Sequence, residues 1–404
     1  MLRLPAVANP VRRALKWDSI SAGVGGLSAG ALFPFLAVIA RRDLEASSYL
    51  IAMLGASWSV GNFFNPLIAH YIRRRPKLPY VIYPQIVSRA FFFLMPLAMT
   101  APSFVGVCLF AAAIGALSAP AYAAVIRDAY PVERRGFLMG IVRVLFVGGS
   151  MVGALLGGFL LARASYRWVF PGLAVVGILA VAAFSRIGVP AAPGAPPARA
   201  RVWDAFRLLA SDRLFRLYAA GFFLWGLGNL MMGPVIPIFQ VDVLNISTQW
   251  VGYLATTTSA MGMVGFLYWG RALDRWGPFR VLLRVLGVAA LAPATYYFAQ
   301  NVPVLLIAAA AQGLAMAGGE LGYLNAAMRF GERDTAASYA GMFAFLQALR
   351  GIPGPFIGAA LNEALGPRPV FLIALALWAV SAGILFVGWR LVRAAEGAGE
   401  VKGA

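Results

Sequence analysis

The sequence holds one cysteine, Cys108, and one histidine, His70. A lone cysteine excludes an intramolecular disulfide and a CxxC metal site. A lone histidine leaves no basis for a His-built metal or catalytic centre. Charge is thin: 12% of the 404 residues are Asp, Glu, Lys or Arg, against ~25% in an average soluble chain. Acids are scarcest, 15 against 34 bases, and lysine supplies only three of those bases beside 31 arginines. No GxxxxGK[ST] run occurs, so ATP is not expected to drive the protein directly. The ~10-residue alternating segments of a membrane β-barrel are also missing.

Apolar residues are what the chain has in excess. They make up 61% of it, and the mean hydropathy is +0.78. A water-soluble fold of this size has too little interior to hide so much apolar surface, which excludes a soluble enzyme. A bilayer crossing needs ~20 apolar residues, and twelve such spans are legible. They run about 19–40, 49–70, 79–100, 104–126, 137–161, 168–188, 214–239, 249–270, 281–299, 303–328, 336–361 and 369–390. Short turns between them imply an all-α membrane protein. The first span is too long for a secretory signal and lacks a cleavage site, so it is read as a retained anchor.

The basic residues orient these spans. With the N-terminus inside, 26 Lys and Arg fall in inner segments, five in outer turns, and three within spans: Arg89, Arg143 and Arg350. That bias places both termini in the cytoplasm, in the plasma (inner) membrane of a prokaryote. Spreading the charge over seven inner segments also removes nucleic acid as a partner. The longest connection, 189–213, separates an N-terminal six-span half, 1–188, from a C-terminal half, 214–404. It begins rich in Pro and Ala and continues into VWDAFRLLA. That stretch is either a short amphipathic helix on the inner leaflet or plain linker.

The halves repeat. Gly30 and Gly233, Pro34 and Pro237, and Gly148 and Gly351 are each 203 apart. Shared offsets at equivalent span positions indicate duplication. The inner turn after span 8 reads GRALDRWGPFR, from Gly270 to Arg280. This resembles the loop signature G-x-x-x-D-R-x-G-x-x-R of the major facilitator superfamily. Span 4 with its exit, GALSAPAYAAVIRDAYPVERRG, and GGSMVGALLGG in span 5 are similar to that family as well. Two departures stand out. His70 occupies the position of the usual Asp in the first-half loop, PLIAHYIRRRPK. Ala154 replaces the Pro of the family's antiporter signature. The resemblance implies two six-helix halves that rock about a midplane site. Spans 1, 4, 7 and 10 would line the path, and spans 2, 5, 8 and 11 would form the seam.

Candidate site residues follow from depth and chemistry. Glu320 in span 10 lies eight residues from the inner end, roughly 12 Å deep at ~1.5 Å per residue. A carboxyl there suits proton coupling, with a permanent ion pair as the rival role. Arg143, ~9 Å deep by the same rise, is either the inner-gate partner of Glu320 or a residue snorkelling to the inner surface. Arg350 in span 11 suits bidentate binding of an anionic substrate group. Alternatively it satisfies carbonyls freed by a kink at GIPGP. Arg89 is expected to be structural within its half. Asn62, Asn229, Gln312 and Gln347 are candidate substrate contacts, each with interhelical bonding as the commoner role. By resemblance Asp274 and Arg275, with Gly270 and Gly277, are gating residues, Asp274 capping the N-terminal end of span 5. His70 is a weak mirror of them or a solvated loop histidine.

The expected function is secondary transport of a small organic solute by alternating access, most simply proton-coupled efflux of amphiphilic compounds. Uptake or exchange of an organic anion through Arg350 is the competitor. A non-transporting sensor or scaffold on the same fold is the third class. No cofactor, metal or obligate protein partner is expected; the partners are the solute, protons and the lipid bilayer.

Overall fold

The computed structural model describes residues 9–72, 75–131, 134–188, 212–330 and 336–397, and among them the fold is helical throughout. The helices are α1 (Asn9–Leu44), α2 (Ser48–Phe63), α3 (Asn65–Tyr71), α4 (Pro79–Ala90), α5 (Ala101–Ala116), α6 (Ala119–Ala129), α7 (Arg135–Leu161) and α8 (Tyr166–Phe184). They continue as α9 (Arg213–Asp242), α10 (Thr248–Phe298), α11 (Leu305–Phe330), α12 (Ala336–Gly351), α13 (Pro353–Leu365) and α14 (Pro367–Gly397). A 3-10 turn, Phe91–Leu97, extends α4. The 189–211 part of the expected linker, including the VWDAFRLLA stretch, lies outside the described residues.

Each expected span coincides with helix, but the breaks within spans come from local chemistry. Among the described residues nine helical segments are long and apolar enough to cross a membrane. The difference from twelve has three causes. Span 2 is broken into α2 and α3 before Pro66, which stands at the start of α3. Span 11 is broken at Gly351–Pro353 into α12 and α13. Proline in both cases removes a backbone donor and cannot continue the helix before it. Spans 8 and 9 run on as the 51-residue α10, turned at Gly277, whose φ of 70° only glycine adopts easily.

The chain forms two compact units, one of Met1–Pro196 with Ile246–Thr256, the other of Pro197–Asn245 with Thr257–Ala404. In the first unit α1 packs along α7 and then α8. The α1–α7 seam is a backbone-to-backbone contact. A Cβ on Gly30 would lie 2.0 Å from the Ser150 carbonyl oxygen, and one on Gly153 would lie 2.1 Å from that of Leu27. Small residues at four-residue spacing allow this approach. Hydroxyls then stitch neighbouring helices: Ser28 donates to Leu173 O at 2.8 Å and Ser88 to Ala111 O at 2.6 Å. The start of α10 joins this unit because Gly252 sits on Ala154 O and Thr256 donates to Met151 O at 3.3 Å.

The second unit repeats the plan. There α9 packs against α14 and α13, the same positions in its half that α8 and α7 hold in the first. The turns that follow α1 and α9 repeat too. Glu45 (φ 52°) and Asn245 (φ 48°) take the left-handed conformation, and Ala46 and Ile246 are buried behind them. Ser47 and Ser247 then accept the backbone N–H of Leu50 and Trp250, each at 3.4 Å. In Asn245 the left-handed backbone is inexpensive; in Glu45 it is strained.

Gly153→Val is expected to lower stability by roughly 1–3 kcal/mol or more, because the added methyls meet a backbone that cannot move aside. Gly148→Ala on the same helix meets nothing within 4 Å and is expected to leave the melting temperature in detergent unchanged.

Candidate functional site

The deepest polar cluster of the second unit is centred on Arg350, at the C-terminal end of α12. It is 4% exposed. Its Nη1 donates to the carbonyl of Phe222 and, at 3.4 Å, to that of Phe223, both on α9. The guanidinium carbon lies 3.9 Å from the centroid of the Phe222 ring. Gly226 makes this possible: a Cβ there would lie 1.6 Å from Nη1. Arg350 therefore lies on main-chain carbonyls of α9 and not on those of the GIPGP kink.

Its charge is nevertheless not cancelled. No carboxylate pairs with Arg350 among the described residues, and its Nε is buried without a hydrogen-bond partner. Of the polar atoms nearby, the buried Trp225 indole Nε1 also lacks a partner, and the buried Tyr323 hydroxyl has the Ser381 hydroxyl beside it. The three belong to one aromatic stack. Trp225 and Tyr323 are stacked at 5.3 Å, and Tyr323 meets Phe222 edge-on at 4.8 Å. Trp378 Nε1 donates to Trp225 O at 2.8 Å, and Ser381 donates to Gly221 O, which fixes α9 against α14. A guanidinium N–H, an indole N–H and a phenol in one place make a donor-rich, positively charged site. Its complement is an anionic or strongly accepting group.

Glu320 on α11 is exposed, as Gly319 beside it packs against the Trp225 ring. It forms no ion pair among the described residues, so the permanent pair offered as its rival role is not present there. Asn229 and Gln312 are half-buried and Gln347 is exposed; no hydrogen bond joins the three. Asn62 accepts from Asn65 Nδ2 at 2.7 Å across the α2–α3 break, a local role. Asp274 and Arg275 are exposed on α10 between Gly270 and Gly277, and His70 is exposed at the end of α3. In the first unit Arg143 is exposed on α7, its guanidinium 5.9 Å from the Phe146 ring. Arg89 reaches between α8 and α1. A Cβ on Gly177 would lie 3.1 Å from both its Nε and the Ser28 hydroxyl.

Sequence inspection passed over Asp18. Its position between the basic inner segment and the first span counts as surface. The structure buries it to 3% exposure, and the Tyr130 hydroxyl donates to its carboxylate at 2.7 Å. A signal was available. Asp18 stands four residues after Ala14, three after Leu15 and four before Ala22, all packed in the same apolar cluster. It therefore lies on the buried stripe of its helix. Two basic residues at this end are committed elsewhere. Lys77 pairs with Asp128, and Arg135 Nη2 donates to the carbonyls of Arg127 (2.9 Å) and Tyr130 (3.2 Å). At the outer end of the first unit a cleft of about 310 Å³ is lined by Arg42, Asp43 and Arg163. Arg42 pairs with Asp43 at 2.8 Å, and the Arg163 guanidinium stacks on Phe159.

Three comparisons with known proteins bear on this architecture. The family model of the Major Facilitator Superfamily matches residues 19–355. The multidrug resistance protein MdtG of Proteus mirabilis (strain HI4320) is 31% identical over 163 residues, which is 39% of this chain and 40% of that protein. The match thus spans about two-fifths of that relative. Among solved structures a mutant of the nucleoside transporter NupG aligns with a TM-score of 0.76 at 14% identity, covering 93% of this chain and 99% of that one. A bacterial homolog of the human lysosomal transporter Spinster, inward-facing and unoccupied, aligns at 0.69 with 14% identity, covering 95% and 98%. At these identities the two structures speak to the fold.

Gly226→Ala is expected to destabilise the wild-type protein, since its methyl displaces the Arg350 guanidinium. In an Arg350→Met background the same change is expected to cost less. The coupling, read from thermal melts in a double-mutant cycle, is expected at roughly 0.5–3 kcal/mol.

Proposed function

The chain belongs to the Major Facilitator Superfamily, and on that premise we propose that it exports amphiphilic small molecules in exchange for protons. Membership makes it a multi-pass membrane transporter and not an enzyme. The export reading draws on the partial match to a multidrug resistance protein and on the apolar character of the spans expected to line the path. The observation that carries the coupling role is Glu320, a carboxyl on α11 that is exposed and uncommitted to any cation among the described residues. A carboxyl within an apolar zone exchanges a proton at low cost only if no fixed cation holds it ionised.

In this scheme Asp274 and Arg275 act in gating, with Gly277 supplying the turn. The protein works in a prokaryotic plasma membrane with both termini cytoplasmic. A second reading has a specific observation behind it. Arg350, Trp225 and Tyr323 offer donors without a carboxylate among them, which suits uptake or exchange of an organic anion.

Proteoliposomes distinguish these. Lipophilic cations and organic anions are added in turn to vesicles holding the wild type or Glu320→Gln, and internal pH is followed. A lipophilic cation is expected to drive proton movement that Glu320→Gln abolishes while ligand-induced thermal stabilisation survives. Normal proton-linked transport by Glu320→Gln overturns the coupling role. A response to anions alone, lost in Arg350→Met, replaces export of amphiphiles with anion exchange.

A further inference from the structure

The first unit contains a carboxyl that neither transport scheme uses. Asp18 lies at the inner end of α1, in a cluster built from Leu15, Val125, Leu138 and Phe184 with their apolar neighbours. Among the described residues its one hydrogen-bond partner is the Tyr130 hydroxyl, just past the end of α6. Burial and the adjacent Asp18 push the Tyr130 hydroxyl's pKa upward from its ordinary value, so it serves as a donor and not as a counter-charge.

The other ionisable groups around Asp18 can be followed element by element. On α6, Tyr122 is half-buried and feels both Asp18 and Arg143 of α7. Just past α8, Arg186 lies over the Trp17 ring at 4.8 Å, and Lys16 of α1 lies over the same ring at 5.6 Å. Before α4, Lys77 is paired with Asp128, and at the start of α7 Arg135 donates to the Tyr130 carbonyl at 3.2 Å. No cation is within ion-pair distance of Asp18 among the described residues. An unpaired carboxylate buried among aliphatic side chains is costly, and one phenol does not replace its hydration. Protonation removes that cost and keeps the hydrogen bond.

We propose that Asp18 is a proton-binding site of the first unit, loaded in the packed arrangement and emptied when the end of α6 draws Tyr130 away and admits water. Arg143, reached past Tyr122 and itself exposed, is the cation that steadies the ionised form. Loading of Asp18 is separate from the role given to Glu320 and is read without any transported ligand.

Infrared difference spectra of the full-length protein in lipid nanodiscs, titrated from neutral to alkaline pH, test this. The wild type is expected to show the C=O stretch of a protonated carboxyl at neutral pH that disappears as pH rises. Asp18→Asn is expected to lack that band and Glu320→Gln to keep it. Tyr130→Phe is expected to keep the band at a higher frequency, having lost the hydrogen bond. Arg143→Gln is expected to move its disappearance to higher pH. The proposal is overturned if the wild type has no such band at neutral pH, or if the band persists in Asp18→Asn. An unchanged band frequency in Tyr130→Phe also overturns it. Should Asp18→Asn fail to fold, the wild-type titration and the Tyr130→Phe shift decide by themselves.

Discussion

Within the hydrocarbon of a bilayer a polar atom without a protein partner has no water to fall back on. That constraint explains most of the architecture. It makes every described element helical, since only then does each main-chain donor find an acceptor locally. It also explains the side-chain bonds between helices, in which Ser28, Ser88, Trp269, Trp378 and Ser381 all donate to main-chain carbonyls. Such carbonyls carry a second lone pair, so a hydroxyl or indole can be satisfied without disturbing the helix that supplies it. Even Arg350 obeys the same rule, directing its donors to the carbonyls of Phe222 and Phe223.

With no hydrophobic effect to drive helices together in lipid, close packing has to supply the adhesion. The glycines of α1 and α7 bring two backbones into contact over successive turns, and side-chain bonds fasten α1 to α8 and α14 to α9. Both units use the same helix pairings and the same left-handed outer turn, at Glu45 and Asn245. That economy matches the shared 203-residue offsets of the sequence. The copies have since diverged where chemistry is at stake. The first holds a buried carboxyl at its inner end, and the second holds a buried guanidinium deeper in.

These two charges show why a buried ionisable group is informative. A cation or anion whose opposite number is adjacent, such as Lys77 with Asp128, serves as a fastening. One whose charge is left over stores free energy that a ligand or proton can release. Asp18, Glu320 and Arg350 are of the second kind, and each meets the leftover charge differently: by burial beside a phenol, by exposure, and by main-chain dipoles.

Much of this molecule was legible beforehand. Apolar run lengths located the spans, GIPGP located the break within span 11, and the loop signature located the turn at Gly277; the break in span 2 before Pro66 came only with the structure. These properties are local: hydropathy sums over neighbours in the chain, and Pro or Gly acts on its own backbone. The family signature around Asp274 was legible for the same reason, being a contiguous loop. The site was only partly so. Depth along a span identified Glu320 and Arg350, yet which was committed and which was free depended on residues far away in sequence. Arg350 turns toward carbonyls 127 and 128 residues distant because Gly226 leaves room for it. Asp18 reads as part of a charged inner segment until α6 and α7 close over it, with Tyr130 arriving from 112 residues away. Chain composition by itself determined that this protein crosses a membrane many times. Tertiary packing decided which charges keep their water, because burial is a property of the neighbours a fold assembles and not of the residues beside them in the chain.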